Sequence, residues 1–377
     1  MISHSSLRTF QRLAALAIVG STLTGCANYL YMGTSEPAIE AFNVKAGSNG
    51  LPQFVRIPGV NLAPSLGVPS AMSVVDKTLY AAVGGNVPGT ASIAQFSIDA
   101  NSGALALRGT IAAGNPPHYM AATRTAVYAA SFGSDDIRAY AIDAAGNLGA
   151  LQTLPGLGVN SVHIDAAAPK VLYTGTRAQG ATGSKICAYS ITANSTLGTT
   201  PQCVAVAGAP GNMQAAGGVL FVHFNATVPP QIGNSNWISA WNIDPATGAL
   251  THRGADVDIG AAYVGGMAVS ANGQTLFVPR IGGFTTVNTA NPMSYGMVTF
   301  PQNGSQVCVL PPTGPSAVLA DPSGKAIYLA DAVGAVANNN TLGPRISALE
   351  LAAGGAINPI ICDSTGAKPQ ALALFAQ

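Results

Sequence analysis

Charged residues are scarce in this sequence. Only 8% of the 377 residues are Asp, Glu, Lys or Arg, and the formal net charge is +1. A protein that binds nucleic acid through its phosphates carries a basic patch or stripe, and this chain has no basic excess from which to build one. The composition therefore excludes nucleic acid as a partner.

Several motifs of catalysis and cofactor binding are also missing. The chain has no Gly-x-Ser-x-Gly elbow, no Gly-rich phosphate loop with a lysine and no His-Glu-x-x-His zinc motif. Its histidines beyond the amino-terminal region lack ligand spacing: His118, His163, His223 and His252. We therefore predict no metal site and no cofactor.

An apolar run long enough to span a membrane is absent too. Residues 13–23 are apolar, about half of the ~20 residues that a transmembrane helix needs. Arg8 and Arg12 precede the run and small residues follow it, which is typical of a cleavable export signal. The alternative is an ordinary hydrophobic helix followed by a buried structural cysteine.

The end of this run, Leu23-Thr24-Gly25-Cys26, resembles the bacterial lipobox. The resemblance implies removal of residues 1–25 and a diacylglyceryl group on Cys26 that anchors the protein in a lipid bilayer. Ala27 is not acidic, and in lipoproteins this usually permits transfer to the outer membrane. We therefore expect a lipid-anchored protein of the bacterial cell envelope, facing the periplasm or the cell surface.

Glycine and proline are plentiful, with 44 and 25 copies, and a long repeat organises the chain. An aliphatic residue followed by an aromatic one recurs seven times, 45 to 56 residues apart. The pairs are Leu30-Tyr31, Leu79-Tyr80, Val127-Tyr128, Leu172-Tyr173, Leu220-Phe221, Leu276-Phe277 and Ile327-Tyr328.

Each repeat continues with the same local pattern. A polar loop leads to a strand of alternating apolar residues, which we predict at residues 39–44, 93–98, 137–142, 186–191, 238–243, 295–300 and 346–351. Asp- and Gly-rich turns follow, as at Asp99 to Gly103, and a further strand leads to a proline that opens the next repeat, at Pro69, Pro117, Pro210 and Pro315. Four short antiparallel strands in about 50 residues make one propeller blade.

These repeats predict an all-β, seven-bladed β-propeller in which residues 26–377 form one domain. The first repeat lacks an opening strand, because only Ala27 to Leu30 separates Cys26 from its aromatic residue. The last repeat is followed by a spare strand, residues 369–374. We expect this carboxyl-terminal strand to complete blade 1 and to close the ring, which removes an unpaired edge.

Four cysteines remain after Cys26, and an oxidising envelope permits disulfides. Cys187 and Cys203 lie on adjacent strands on either side of a turn, so hairpin pairing favours a bridge over two buried thiols. Cys308 and Cys362 each precede a blade-opening proline by seven residues, which places them on outer strands of different blades. A bridge between these two is less favoured than two structural thiols.

The repeat unit resembles the seven-bladed propeller lactonases typified by bacterial 6-phosphogluconolactonase, and their relatives the YVTN-repeat propellers. The best match runs from Pro117-His118-Tyr119-Met120 through Val127-Tyr128 and on to Gly146-Asn147-Leu148. The resemblance implies a hydrolase that acts on a lactone or a sugar-derived substrate. In such a family a blade opens on Pro-His, as Pro117-His118 does here.

Antiparallel geometry indicates where such a site would lie. The start of each first strand and the end of each second strand reach the same face of the ring, which brings His118, Arg177, Arg280 and Asp331 to one rim, with His163 in mid-strand. His118 or His163 is a candidate base, Arg177 and Arg280 are candidate cations for the oxyanion, and Asp331 is a candidate orienting carboxylate.

A second class of function stays open. Thr174-Gly175-Thr176-Arg177 stands where lactonases carry an acidic turn, and the chain has little charge. Both features favour a non-catalytic propeller that binds a protein or glycan ligand on one face. For each candidate residue the alternative is a structural role, as a packed histidine or a solvated arginine.

Overall fold

The structure is a computed structural model in which strands dominate. It describes residues 28–46, 52–84, 89–131, 134–155, 159–165, 171–176, 183–225, 236–260, 266–280, 283–299, 317–321, 324–331, 336–337, 340–341, 345–351, 357–364 and 369–375. Within these ranges the only helical element is a short 3-10 turn, Pro64–Leu66. No described helix has the length and apolarity needed to cross a membrane.

Seven antiparallel sheets of four main strands form the blades of a seven-bladed β-propeller, with strands a to d running outwards from the centre. Strands a of blades 1 to 7 are Pro369–Phe375, Val68–Val75, Tyr119–Ala122, Val159–Asp165, Ala209–Ala216, Ala268–Val269 and Ala317–Ala320. Strands b are Asn28–Thr34, Thr78–Gly84, Ala126–Ser131, Val171–Thr176, Val219–Asn225, Thr275–Arg280 and Ala326–Asp331.

The outer strands follow the same order of blades. Strands c are Ala38–Ala46, Ala91–Ile98, Asp136–Ile142, Lys185–Ser190, Asn236–Ile243, Gly283–Asn288 and Arg345–Leu351. Strands d are Pro52–Asn61, Leu105–Gly114, Leu148–Leu154, Gln202–Ala205, Leu250–His252, Tyr295–Thr299 and Ile357–Ser364. The remaining strands are a fifth strand in blade 5, Val257–Gly260, and a small hairpin after strand b of blade 7, Val336–Ala337 with Asn340–Thr341.

The carboxyl-terminal strand closes the ring, as the repeats predicted. Pro369–Phe375 pairs antiparallel with Asn28–Thr34, and Ala373 lies opposite Tyr31. Strands a contact one another in cyclic order, and the carboxyl-terminal strand contacts strands a of both blade 2 and blade 7. The two ends of the chain therefore share one sheet.

The aliphatic-aromatic repeat has a direct packing explanation. Side chains alternate between the two faces of a strand, so each pair presents one residue to each neighbouring blade. Leu79 packs into the cluster shared with blade 1, and Tyr80 into the cluster shared with blade 3. In all seven pairs the aliphatic and the aromatic residue pack into the clusters on opposite sides of their blade, and each of these residues is at most 3% exposed. Burial of one such side chain contributes roughly 1.5–3 kcal/mol.

In blades 1 to 4 the aromatic residue also forms a hydrogen bond to the next blade. Its hydroxyl donates to a backbone carbonyl in the c–d turn of that blade, over 2.7 to 3.0 Å. We call these bonds the tyrosine latches, and their donor-acceptor pairs are Tyr31 with Gly103, Tyr80 with Gly146, Tyr128 with Ser195, and Tyr173 with Gly248. Blades 5 and 6 carry Phe221 and Phe277 instead.

The residue that accepts each latch has a positive φ. In three turns it is glycine, and in the fourth it is Ser195, with φ 63°. A Cβ on any of the three glycines would come within 2.6 Å of a side chain in the preceding blade, namely Tyr29 for Gly103, Thr78 for Gly146 and Val171 for Gly248. In blade 3, which precedes the turn of Ser195, Ala126 occupies the position that Tyr29, Thr78 and Val171 occupy in the other blades. Its small side chain explains why serine fits in that turn.

Blade 6 differs from the sequence prediction. Residues 295–300 were expected to form its third strand, but Tyr295–Thr299 is the outermost strand d, and strand c is Gly283–Asn288. The expectation was wrong because strand c reads Gly-Phe-Thr-Thr-Val-Asn, in which buried Thr285 stands where an apolar residue was sought. The other six predicted third strands lie within the observed strands c to within one residue.

Candidate functional site

The face of the ring where strands a begin and strands b end carries the predicted site residues. His118 directly precedes strand a of blade 3, and Arg280 and Asp331 are the last residues of strands b in blades 6 and 7. His163 lies within strand a of blade 4. The backbone thus brings these four residues to the central strands, while Arg177 lies outside the described residues.

The backbone of His118 is fixed by hydrogen bonds, whereas its side chain is exposed. Its amide donates to the Ala130 carbonyl at 3.0 Å, and the carbonyl of the preceding Pro117 accepts a 2.5 Å bond from the Ser70 hydroxyl of blade 2. Two neighbouring blades therefore fix the start of this strand. An exposed imidazole on a fixed backbone suits contact with a ligand better than it suits core packing.

His163 and Asp331 are located by their backbone. His163 lies opposite Tyr173 in the antiparallel register, and Asp331 lies opposite Arg345. Their side chains, like the whole of Arg177, are outside the described part of the chain. Their roles therefore stay predictions.

Arg280 turns towards the outside of its blade. Its guanidinium Nη1 lies 2.9 Å from the Met297 sulfur on strand d, away from the central strands. It makes no ion pair within the described residues, and its Nε is buried without a hydrogen-bond partner there. The Arg280 side chain would have to rotate away from Met297 to reach the channel mouth.

An ion pair between a buried carboxylate and a partly exposed arginine supports blade 3. Asp136 is 3% exposed, and it accepts hydrogen bonds from Arg138 Nε at 2.9 Å and the Ser134 hydroxyl at 2.6 Å. Gly114 has φ 77°, and a Cβ there would lie 2.4 Å from the Arg138 guanidinium. The Asp136 carboxylate is thus committed to Arg138.

No group of three or more metal-ligating side chains occurs among the described residues.

Blade 5 contains a buried histidine next to the central strand. His223 is 4% exposed, and its Nε2 lies 3.0 Å from the Asn236 side-chain oxygen. A Cβ on Gly211 of strand a would lie 2.7 Å from His223 Nδ1, so glycine leaves room for the ring. Burial lowers the pKa of His223 to about 4, although the Asn236 hydrogen bond opposes that shift. The imidazole is therefore neutral at neutral pH.

A cleft opens at the outer edge of the joint between blades 4 and 5. We call it the tryptophan cleft, because both tryptophans of the chain line it. Its volume is about 510 Å³, and it is lined by Ala205, Val206, Ala207, Phe224, Trp237, Ser239, Trp241, His252, Asp256 and Asp258. Trp237 and Trp241 are four residues apart on strand c and so share one face of it.

An interrupted outer strand shapes this cleft. Strand d of blade 5 ends at His252, and pairing with strand c resumes only at Val257. The intervening turn brings Asp256 Oδ1 to 3.0 Å from His252 Nε2, which also lies 3.0 Å from the Ser239 hydroxyl. Because both contacts use one ring nitrogen, these residues do not form a Ser-His-Asp proton relay, which needs both nitrogens.

A disulfide holds the opposite wall. Cys187 and Cys203 lie opposite each other on strands c and d of blade 4, and their sulfurs are bonded at 2.05 Å. This is the pairing expected from the hairpin. Cys362 lies on strand d of blade 7, opposite Ser347, and Cys308 is outside the described residues. The bridge fixes the short strand that leads directly into Val206 and Ala207.

Sequence reasoning did not single out the tryptophan cleft. The spacing of Trp237 and Trp241 in an alternating strand indicates a shared face. However, the interruption of strand d, and the proximity of Asp256 and Asp258, depend on register that the sequence does not specify.

Comparisons with known proteins agree with this architecture. The model of the family described as "Lactonase, 7-bladed beta-propeller" matches residues 52–164. A provisionally named 6-phosphogluconolactonase from Bacteroides fragilis is 17% identical, with a TM-score of 0.68, 94% of this chain covered and 99% of that chain. A similarly named structure from Bacteroides uniformis is 16% identical, with a TM-score of 0.68, and the match covers 93% of this chain and 100% of that chain. The periplasmic gluconolactonase of Pseudomonas aeruginosa is 16% identical, with a TM-score of 0.64, and the match covers 93% of this chain and 99% of that chain.

No curated protein matches this chain. At 16–17% identity the structural neighbours establish the fold alone, a seven-bladed β-propeller. The family match runs from strand d of blade 1 into strand a of blade 4, and it supports a likeness of this chain to the lactonase-like seven-bladed propellers. The resemblance expected from the repeats is therefore confirmed.

Proposed function

We propose that this protein hydrolyses a lactone or a related sugar-derived ester at the mouth of its central channel, and that it does so while anchored to the bacterial envelope. The lactonase match spans residues 52–164 and so includes His118, His163 and the strands that hold them. The observation that carries the proposal is the exposed imidazole of His118 on a backbone fixed from two blades.

The proposed reaction needs a base and a cation. His118, or His163 on the next blade, accepts a proton from water as the water oxygen attacks the lactone carbonyl carbon. Arg280, after its side chain rotates away from Met297, and Arg177 stabilise the oxyanion that forms, and Asp331 orients the base. The ring C–O bond then breaks, the leaving alkoxide takes up the proton, and a hydroxy acid is released.

The test of catalysis is a direct assay. The full chain, purified in detergent, is mixed with gluconolactone and with aryl lactones, and acid release is followed above the spontaneous rate. We expect His118→Ala to lower kcat/KM at least about 100-fold, the usual contribution of a general base. His252→Ala, which changes an exposed histidine on an outer strand, serves as the matched control. A wild-type rate equal to the spontaneous rate rejects hydrolysis of these substrates.

The anchor is tested separately. Cells that express the chain are fed an alkyne-tagged fatty acid, and the protein is probed for label. We expect labelling of the wild-type protein and none of Cys26→Ser. Equal labelling of the two would reject lipidation at Cys26.

A second candidate function is non-catalytic binding of a protein or glycan. The feature that favours it is the tryptophan cleft, because concave sites lined by aromatic side chains are typical of recognition surfaces. Trp237 is partly exposed there, whereas Trp241 and Phe224 are 8% and 2% exposed. Saturable binding of a protein or glycan ligand, together with no turnover in the lactone assay, would support this function.

A further inference from the structure

The first strand of the chain begins on the face of the ring that lies opposite His118. Asn28–Thr34 is strand b of blade 1, and it runs antiparallel to strand a, so that Tyr29 lies opposite Phe375 near the end of strand a. Strands a begin on the face that carries His118 and therefore end on the other face. We call this other face the base face, and it carries the a–b turns and the c–d turns of the blades.

The proposed lipid attachment site is very close to the base face. Cys26 comes only two residues before the first strand, and two residues span at most about 7 Å in any conformation. The strand is held in the ring, because Tyr29 and Leu30 are fully buried and the Tyr29 hydroxyl donates to the Asn101 carbonyl of blade 2 at 2.6 Å. The headgroup region of a bilayer is roughly 5–8 Å thick on each side. An acyl anchor on Cys26 would therefore hold the base face against the headgroups.

Next to blade 1, the base face has a cleft with cations on both of its walls. This basic cleft lies between blades 2 and 3, and its volume is about 680 Å³. Lys77 and Arg108 of blade 2 and Arg124 of blade 3 line it, and all three are exposed. Arg108 reaches across the joint, because a Cβ on Gly146 of blade 3 would lie 3.2 Å from its Nη1. Within the described part of the chain, none of these three side chains makes a hydrogen bond or an ion pair.

Two carboxylates, Asp76 and Asp143, also line the basic cleft. Asp143 accepts hydrogen bonds from the Asn147 and Ala145 amides, both at 2.8 Å, so its own turn supplies its donors. These bonds, chiefly those from Asn147, lower the pKa of Asp143, and Arg108 adds to the shift from beyond ion-pair distance. Three cations against two carboxylates leave the cleft with one positive charge in excess.

From these features we infer that the base face of blades 1 to 3 lies against an anionic phospholipid bilayer, an inference that rests on the proposed anchor at Cys26. Lys77, Arg108 and Arg124 contact lipid phosphates, because an anionic membrane surface attracts basic side chains close to it. Strand b of blade 1 is seven residues long, so the face that carries His118 lies about 20 Å from the headgroups and opens to the aqueous compartment.

Two lysines report the orientation of the ring. Lys77 lies in an a–b turn on the base face, whereas Lys185 begins strand c of blade 4, opposite the last residue of strand b, and so lies on the other face; both are exposed. The lipidated full chain is placed in nanodiscs of phosphatidylglycerol and phosphatidylcholine, and acetylation by a water-soluble reagent is followed at each lysine by mass spectrometry. We expect Lys77 to react several-fold more slowly than Lys185.

A longer tether is the matched control. A Gly-Ser linker of about 20 residues between Ala27 and Asn28 keeps the acyl anchor and spans about 25 Å, so it no longer forces contact with the bilayer. In nanodiscs of phosphatidylcholine alone, this variant should acetylate Lys77 and Lys185 at similar rates.

The same linker variant tests the charges. Addition of phosphatidylglycerol should slow the reaction at Lys77, and about 1 M salt should remove this effect, because the Debye length falls to about 3 Å. Arg108→Gln with Arg124→Gln should abolish the effect of phosphatidylglycerol. Arg56→Gln, which breaks an ion pair with Glu40 on the outer strands of blade 1, should leave it unchanged.

Several results would overturn the inference. Equal rates at Lys77 and Lys185 in the anchored wild-type chain, or a slower rate at Lys185, would reject this orientation and leave lipidation at Cys26 standing. No fatty-acid label on Cys26 would remove the anchor and the inference together, and the labelling experiment reports that outcome separately. Slow reaction of Lys77 in the linker variant with both glutamines would indicate a different cover, such as a second copy of the chain. An unchanged effect of phosphatidylglycerol in that variant would reject contact of the basic cleft with lipid.

Discussion

In blades 1 to 4 the aromatic residue of strand b is a tyrosine whose hydroxyl reaches the next blade, whereas blades 5 and 6 carry phenylalanine at the same position. Both kinds of residue are buried to the same degree. Apolar burial is therefore common to every joint, and the hydrogen bond is an addition confined to one part of the ring.

The joints without a latch to the next blade differ among themselves. Tyr328 of blade 7 donates to the Asp321 carboxylate of its own blade, and the joint between blades 7 and 1 contains the carboxyl-terminal strand. Blade 5, which begins the run of phenylalanines, also carries the interrupted outer strand and buried His223. Departures from the repeat thus cluster where the latches stop.

The largest expected effect comes from removing the strand that closes the ring, which pairs with strand b of blade 1 and contacts blades 2 and 7. Deletion of residues 369–377 removes strand a of blade 1, including Leu372 and Phe375, each 7% exposed. Loss of these two side chains alone should cost about 3–6 kcal/mol, a large part of a typical folding free energy. Urea unfolding should show a strongly destabilised or unfolded protein. Deletion of residues 376–377 alone is the length control, and a full truncation as stable as the parent would contradict ring closure.

A smaller effect is expected at a latched joint. Gly248→Ala places a Cβ 2.5 Å from Val171 at a φ of +74°, so it combines a clash with an unfavourable backbone conformation. We expect a loss of about 3 kcal/mol of unfolding free energy. Gly218→Ala in the same blade has φ +77° and open space around its Cβ, so it should cost only about 1–2 kcal/mol.

The clash can be relieved to test its origin. Val171→Ala should restore part of the stability lost in Gly248→Ala, because the blade 3–4 joint already pairs Ala126 with non-glycine Ser195. Equal destabilisation by Gly248→Ala and Gly218→Ala would show that the contact with blade 4 is unimportant.

The repeated parts of this fold could be predicted from sequence because each blade meets the same packing requirement. The seven aliphatic-aromatic pairs identify all seven strands b, since each must fill two interfaces at once. Strand c of blade 6 escaped prediction because Thr285 is buried in the sheet without showing apolar alternation. The latches were also missed, since a tyrosine hydroxyl and its acceptor lie 66 to 75 residues apart.

The candidate site was less predictable than the fold. Antiparallel geometry correctly placed His118 and the ends of strands b on one face. It could not show that Arg280 bends outward to Met297, because a long side chain chooses its direction from local packing. The tryptophan cleft depends on a break in strand d, which no periodic pattern reveals.

The pH dependence of stability should distinguish blade 5. His223 has a pKa of about 4 in the folded protein, below the ~6.5 of an unfolded histidine, so the unfolded chain binds its proton first. The stability that neutral His223 supports is therefore full above pH 6.5 and is lost as the pH falls towards 4. Between pH 7 and pH 5 the wild type should lose about 2 kcal/mol more than His223→Gln.

Urea unfolding at several pH values compares the wild type with His223→Gln, so the difference between the two curves isolates the buried imidazole from every other titrating group. Parallel curves would show that burial of His223 does not control the acid sensitivity.

The smallest expected effect is that of a single latch. Tyr173→Phe removes the 3.0 Å bond to the buried Gly248 carbonyl and turns the blade 4–5 joint into one like the joint that follows. It should cost about 1–2 kcal/mol, because the carbonyl loses its partner without gaining water. Tyr189→Phe, in the same blade and 3% exposed, removes a hydroxyl for which the described residues give no hydrogen bond, and it should be nearly neutral. If both variants unfold at the same urea concentration as the wild type, the latch adds nothing to burial, and tyrosine and phenylalanine joints are energetically equivalent.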